Sequence, residues 1–151
     1  MREILFRGKR TDNDEWVYGS FCMDAVEQKN GLCGVDGFIR RYDFAKGKMQ
    51  MHEVDRESVS QFTGLTDKNG KKIFEGDMLK PFDDEIDKMV VEFHHGSFLL
   101  CLYGERGYMG EGGWVEDGNY GVFECEPLSS YGNDVEVIGN IHDNLELLSD
   151  N

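Results

Sequence analysis

The sequence predicts a mainly β fold with very little helix: a β-hairpin region over residues 1–61, then a small β-barrel over 62–151. Three observations carry this reading. Nineteen glycines stand against two prolines, Pro81 and Pro127, apolar runs are short and broken every 8–12 residues, and several runs alternate apolar with polar residues. A chain of 151 residues can bury enough surface to fold without metal or disulfide.

The elements follow in chain order. Glu3 to Arg7 and Trp16 to Phe21 flank the turn formers Thr11-Asp12-Asn13-Asp14 and read as a hairpin. Residues 23–36 alternate poorly, whereas Phe38 to Tyr42 and Met49 to Val54 regain a period of two and form a second strand pair. Asp55, with Ser58 three residues on, suits a cap for one helical turn running through Val59 to Phe62. In Thr63 to Lys80, Asp67-Lys68-Asn69-Gly70 is a tight-turn signal, and Gly76-Asp77 punctuates the approach to a strand at Met78-Leu79. Gly64, Asn69, Gly70, Gly76, Asp77 and Gly139 are the expected corners of the barrel. An acidic loop, Asp83 to Asp87, precedes Met89 to Phe93, which places Met89, Val91 and Phe93 on one face. His94-His95-Gly96 turns the chain into Phe98 to Tyr103, apolar on both faces as a central strand would be. Tyr103 to Trp114 reads as a long glycine-rich loop, and the chain closes with Val135 to Ile141 and a coda at Leu145 to Leu148.

Charge and composition exclude several functions. Sixteen basic residues face thirty acidic ones, a net charge of -14, so sequence-independent attraction to nucleic acid is unfavourable. The acid accumulates along the chain: residues 1–50 carry 9 basic and 8 acidic groups, 51–100 carry 6 and 11, and 101–151 carry 1 and 11. No apolar run is long enough to span a membrane, and charges fall where the apolar core of a leader would lie in MREILFRGKR, so a cytoplasmic protein with no membrane partner is expected. Cys22, Cys33, Cys101 and Cys125 include no C-x-x-C pair and read as reduced, mostly buried thiols, with Cys101 unreactive among apolar neighbours.

Sites of chemistry are weighed against plain structural roles. Adjacent His94 and His95 point to opposite faces of a strand, while His52 and His142 have no carboxylate or cysteine at ligand spacing, so no metal is expected. Asp67-x-Asn69-Gly70 and Asp12-x-Asp14 begin like calcium loops, but the first lacks the sixth-position glycine and twelfth-position glutamate that complete one, and the second meets Trp16 too early. The run Gly104 to Gly113 lacks the lysine of a phosphate-binding loop and carries Glu105 and Glu111, which excludes a nucleotide cofactor. No nucleophile-and-base motif is present, so no catalytic residue is assigned, no cofactor is expected and the chain reads as a non-enzyme. The candidates for partner contact are the aromatic residues Trp16, Tyr18, Tyr108 and Trp114.

Taken together, FRGK with WVYG, then VSQFTGLTDKNGKKIFEGDMLK, VVEF and EVIGNIHDNLELL resemble the YopX family of small phage and prophage proteins. The resemblance is most specific over Phe62 to Asp77 and Val137 to Asn144. It implies a phage or prophage origin, an SH3-like barrel in the second half and assembly into homo-oligomers, and it assigns no activity. The expected role is a self-assembling or protein-interaction module whose partner is a phage or host protein. Two alternatives stand beside it. One is a nucleic-acid accessory module built on Arg2, Arg7, Lys9, Arg10, Arg40 and Arg41 with Trp16 and Tyr18. The other is a DNA mimic using the acidic last third.

Overall fold

The computed structural model describes residues 1–81, 89–110, 113–131 and 133–148, with the backbone alone described at 102–110, 113–124 and 148. The acidic run Asp83 to Asp87 therefore lies outside the described residues. The fold is mainly β, with short 3-10 turns and no longer helix among the described residues. The chain divides into two compact units, Met1–Gly64 and Leu65–Asn151.

In the first unit β1 (Phe6–Lys9), β2 (Trp16–Glu27), β3 (Cys33–Asp43), β4 (Lys48–Val54) and β5 (Ser60–Thr66) stand in the order β4-β3-β2-β1-β5, with β5 running on into the second unit. The β1–β2 hairpin turns through Thr11 to Asp14, where the Asp14 amide donates to the Arg10 carbonyl at 3.1 Å. The poorly alternating stretch 23–36 is strand as well: Ala25 pairs with Val35 and Val26 with Gly34. The distal end of this hairpin is exposed at Met23, Asp24, Ala25, Glu27 and Val35, so no burial imposes a period of two there. Backbone pairing holds it without help from the pattern. The Asp55 side chain accepts the Glu57 amide as expected, but the turn it caps covers only Arg56–Ser58. Val59 is already extended, at φ -67° and ψ 123°, and Ser60 to Phe62 are strand.

One face of this sheet forms a core of Val17, Ile39 and Val54, with Phe6, Phe21 and Val59 packed against it. Strand spacing at its centre is set by Gly19, because a Cβ there would lie 2.1 Å from the Arg40 carbonyl oxygen. The obstacle is backbone and cannot rotate away.

In the second unit β6 (Lys72–Phe74) is followed by β7 (Asp77–Pro81), β8 (Met89–His94), β9 (Ser97–Gly110), β10 (Gly113–Pro127) and β11 (Val135–Asn140). Five of these make an antiparallel sheet in the order β10-β9-β8-β7-β11. β8 is its middle strand. The expected closure into an SH3-like barrel is not seen, since the described pairings leave β10 and β11 at the two edges of an open sheet. The β8–β9 hairpin turns at His95 and Gly96, with φ 51° and 81°. Positive φ at both central residues matches the right-handed twist of the flanking strands. Leu100 and Cys101, on opposite faces of β9, are both fully buried, as the doubly apolar run predicts.

Within the glycine-rich stretch expected as a loop, Tyr103 to Gly110 and Gly113 to Trp114 are strand. Tyr108 pairs with Val115 and Trp114 with Met109 along β9 and β10, with register shifts between Glu116 and Tyr120 and between Val122 and Glu124. Ladder hydrogen bonds need no side chain, so a ribbon rich in glycine can pair over its length and take up irregularities as bulges. Cys101 and Cys125 face each other across these strands, with Cα atoms 4.1 Å apart, and are joined in a disulfide. The disulfide replaces the reduced thiols the sequence predicts, because directly opposed positions on neighbouring strands are invisible in a spacing of 24 residues. Cys22 and Cys33 carry free thiols.

The core of the second unit comprises Ile73, Leu79, Met89, Val91, Leu100, Leu128 and Val135. Asp67 ties its turn to its edge strand. This carboxylate is only 3% exposed. It accepts the amides of Asn69 at 2.8 Å and Lys71 at 2.9 Å on one oxygen, and the amide of Val137 at 3.1 Å on the other. The Lys68 amide donates to the Val135 carbonyl at 3.0 Å beside it. Burial pushes the Asp67 pKa up, but the amides of Lys71, Val137 and Asn69 and the charge of Lys71 outweigh that and hold it below the ordinary carboxyl value.

Three expectations follow for stability. Asp67→Ala leaves three amides without their acceptor, and chemical denaturation should register a loss of about 3 kcal/mol. Because the folded-state pKa lies below the unfolded one, the Asp67 contribution is present above the ordinary carboxyl range and lost as pH falls through the folded value. A pH series of denaturation midpoints should therefore show a shallower acid limb in Asp67→Asn than in wild type.

Gly19→Ala should lower stability by about 1–3 kcal/mol, with the thermal midpoint as the measurement, since β2 and β3 must separate to admit the methyl group. Reduction of Cys101–Cys125 releases a loop spanning 24 residues, and denaturation with and without dithiothreitol should differ by about 3 kcal/mol.

Candidate functional site

Strand alternation places a second set of side chains on the face of the first unit opposite its core. In the register, Arg7 stands opposite Tyr18 and Lys9 opposite Trp16, on the side away from Val17 and Gly8. Ser20 pairs with Arg40, Arg40 with Met51 and Tyr42 with Met49, which extends the same face to the far strand. Burial separates the two faces. Val17 and Ile39 are buried, whereas Tyr18 is 43% exposed, Tyr42 48%, Met49 60% and Met51 49%.

Two cation–π contacts organise one end. The Arg7 guanidinium lies 4.6 Å from the Trp16 ring centroid and the Lys9 ammonium 5.7 Å from it. Arg7 is itself buried, so its charge is held against the ring in a poorly hydrated setting that strengthens the contact. At the other end Arg40 lies 3.4 Å from the Met51 sulfur and 3.4 Å from an Asp24 oxygen. Edge-on packing of Tyr42 and Phe44, with ring centroids 4.9 Å apart, completes an exposed surface of aromatic and thioether groups beside cations. Such a surface suits protein contact: large side chains with few rotatable bonds offer area at low entropic cost.

The basic cluster read from the sequence divides in the structure. Arg7, Lys9, Arg40, Trp16 and Tyr18 share the outer face, whereas Arg41 falls on the core-side face in register with Gln50. Arg10 is engaged by Asp12 through two hydrogen bonds of 2.8 and 2.5 Å. This ion pair holds the Arg10 pKa above and the Asp12 pKa below their ordinary values. Arg2 lies outside the strands. Near Arg10 and Arg41, His52 has its pKa lowered, first by burial and then by those two cations.

Tyr108 and Trp114 belong to β9 and β10 in the second unit, and their side chains lie outside the described residues. Sequence reasoning missed Tyr42, Met49 and Met51. Their signal is present in the alternation of Met49-Gln50-Met51, which sets two thioethers on one face of the strand.

A shallow cleft of about 300 Å³ lies in the same unit, lined by Thr11, Asp36, Glu53, Asp55, Arg56 and Glu57 among others. Its Asp55 carboxylate is already occupied by the Glu57 amide. Among the described residues no group of three His, Cys, Asp or Glu side chains is arranged to hold a metal ion. His94 pairs with Glu92. No described helix is long and apolar enough to cross a membrane.

Comparison with known proteins yields a family. No curated protein matches the chain. Among solved structures it is similar to the crystal structure of protein EF1440 from Enterococcus faecalis, with 22% identity and a TM-score of 0.43 over 98% of this chain and 99% of that one. The model of the YopX protein family matches residues 5–149, nearly the full length, and the chain belongs to that family.

Proposed function

We propose that the chain is a non-enzymatic self-assembling or protein-interaction module of phage or prophage origin, acting in the cytoplasm of the host cell. The observation that supports this most is the outer face of the first unit, where Tyr18, Tyr42, Met49 and Met51 stay exposed beside Arg7, Lys9 and Arg40. Exposed aromatic and thioether groups gathered on one rigid sheet cost solubility, and they are explained if a partner covers them. Occupants of this face are a second copy, in a homo-oligomer, or a phage or host protein.

Charge distribution favours protein over nucleic acid as partner. Residues 1–64 hold 10 basic and 11 acidic residues, and 65–151 hold 6 and 19, so neither half offers the surplus of cations that phosphate binding uses. Arg40 already reaches Asp24, and Arg7 is buried over Trp16.

Light scattering after size exclusion tests the reading. The expected result is a mass above that of the 17.3 kDa chain, reduced towards it in Tyr18→Ala with Met49→Ser. A strict monomer that also retains no phage or host protein in pull-downs would sink the proposal. Retention of single-stranded DNA or RNA in a low-salt gel shift would replace it with the nucleic-acid reading.

A further inference from the structure

Beyond Leu102 the hairpin of β9 and β10 leaves the rest of its sheet. β8 pairs with β9 from Ser97 to Leu102, where Met89 is the last partner. Further along, residues 103–110 pair with residues 113–122, and no other described strand joins them. A two-stranded ribbon on its own is marginal in water, and the six glycines of this one leave few side chains to pack. Its ladder is interrupted again by the register shift between Glu116 and Tyr120.

The root of the ribbon is short and is closed by a covalent bond. Where β8 backs β9, β10 contributes only Glu124 to Pro127, between the register shift at Val122 and Glu124 and a proline that has no amide to donate. In that stretch Cys125 stands directly opposite Cys101, with Cα atoms 4.1 Å apart, and the disulfide joins them. It closes a loop with a sequence separation of 24, which contains the whole projecting ribbon. Closure removes much of the entropy that an opened ribbon would gain, so pairing beyond the root loses that support when the bond breaks. The two sulfurs are placed differently. Cys101 is fully buried, whereas Cys125 is half-buried on the terminal strand, so a thiol from solvent reaches Cys125 first.

We propose that Cys101–Cys125 is a thiol-responsive switch that sets whether the projecting part of the β9–β10 ribbon is ordered. Reduction proceeds by thiol–disulfide exchange. A thiolate attacks Cys125 Sγ, the S–S bond breaks with its electron pair on Cys101 Sγ, and that sulfur takes up a proton. A second thiolate then displaces Cys125 from the mixed disulfide, and Cys125 Sγ is protonated in turn. Two thiols thus become one disulfide, and the cysteine pair gains two electrons and two protons. Oxidised, the ribbon holds in place the backbone that carries Tyr108 and Trp114. Reduced, it opens beyond Leu102 while β7, β8 and β11 keep their pairing. The switch goes beyond the protein-contact reading and takes from it only the cytoplasmic setting, in which thiols keep a cystine transient. It stands or falls in the purified chain, whatever the outer face of the first unit binds.

Arg106 is the single basic residue after position 100, so tryptic cleavage there reports the ribbon and releases residues 107–151 as one fragment. The full chain is equilibrated in glutathione buffers of rising reduced-to-oxidised ratio, digested briefly and read after quenching and complete reduction, with hydrogen exchange measured in parallel. The pair is expected to pass from disulfide to dithiol across these buffers. On reduction, cleavage after Arg106 and amide exchange over 103–110 and 113–122 should both speed up by about tenfold or more, while β7, β8 and β11 stay protected. Cys101→Ala with Cys125→Ser should give the reduced chain's ribbon cleavage at every ratio. A pair that stays oxidised in excess reduced glutathione, or that never oxidises in excess oxidised glutathione, would overturn the proposal. So would equal cleavage and exchange in both states, or a double variant whose cleavage still follows the ratio. Loss of protection across β7, β8 and β11 together with the ribbon would overturn it as well, since the bond would then be a staple of the whole unit.

Discussion

The second unit depends on one buried carboxylate. Asp67 sits in the turn between β5 and β6, yet one of its oxygens accepts an amide from Val137, 70 residues away on the edge strand β11. Two further amides, from Asn69 and Lys71, close the turn around the other oxygen. A buried anion is tolerated only where polar groups replace its lost hydration, and here the backbone does so with three donors. The same contact covers the edge that β11 would otherwise present to solvent, with the Lys68 amide on the Val135 carbonyl alongside. Local turn chemistry and long-range sheet order are thus a single interaction.

That coupling explains what the sequence could and could not reveal. Asp67-Lys68-Asn69-Gly70 is legible as a turn because its residue types have local conformational reasons to be there, and Gly70 does adopt φ 78°. Nothing local shows that the Asp67 side chain would reach β11. The strand pairs of the first unit were legible wherever one face is buried, as at Val17, Ile39 and Val54. They were illegible over 23–36, where both faces meet water and the pairing is purely backbone. The glycine ribbon of β9 and β10 was illegible because its glycines carry no side chains from which a period could be read. Cys101 and Cys125 show the limit from the other side, since opposed positions become visible only when register is known.

Half of the candidate surface was legible. Trp16 and Tyr18 stand out by residue type and are joined by Arg7 and Lys9 across the hairpin, as nearness in sequence suggests. Tyr42, Met49 and Met51 join them only through the register of β3 and β4. Conversely, Arg10 and Arg41 look like members of the basic cluster in the sequence and are not. A local ion pair takes Arg10, and parity within β3 sends Arg41 to the other face. A one-residue difference in strand position decides membership, which is a fact of geometry and not of composition.

Charge is divided unequally between the units, and this bears on where function can lie. The first carries 10 basic and 11 acidic residues, the second 6 and 19. A strong single-sign surplus keeps a chain soluble and repels further copies of itself, so the second unit is poorly suited to bring like acidic surfaces together. The first unit lacks that surplus. On its near-neutral background cations and carboxylates stand side by side, as where Asp43 faces Lys48 across β3 and β4 and accepts from Gln50. By this charge count alone, two second units brought together would repel. The contrast between the units is thus one of charge: a single-sign surplus in the second, and a balance in the first that leaves residue type and strand register to set what its faces carry.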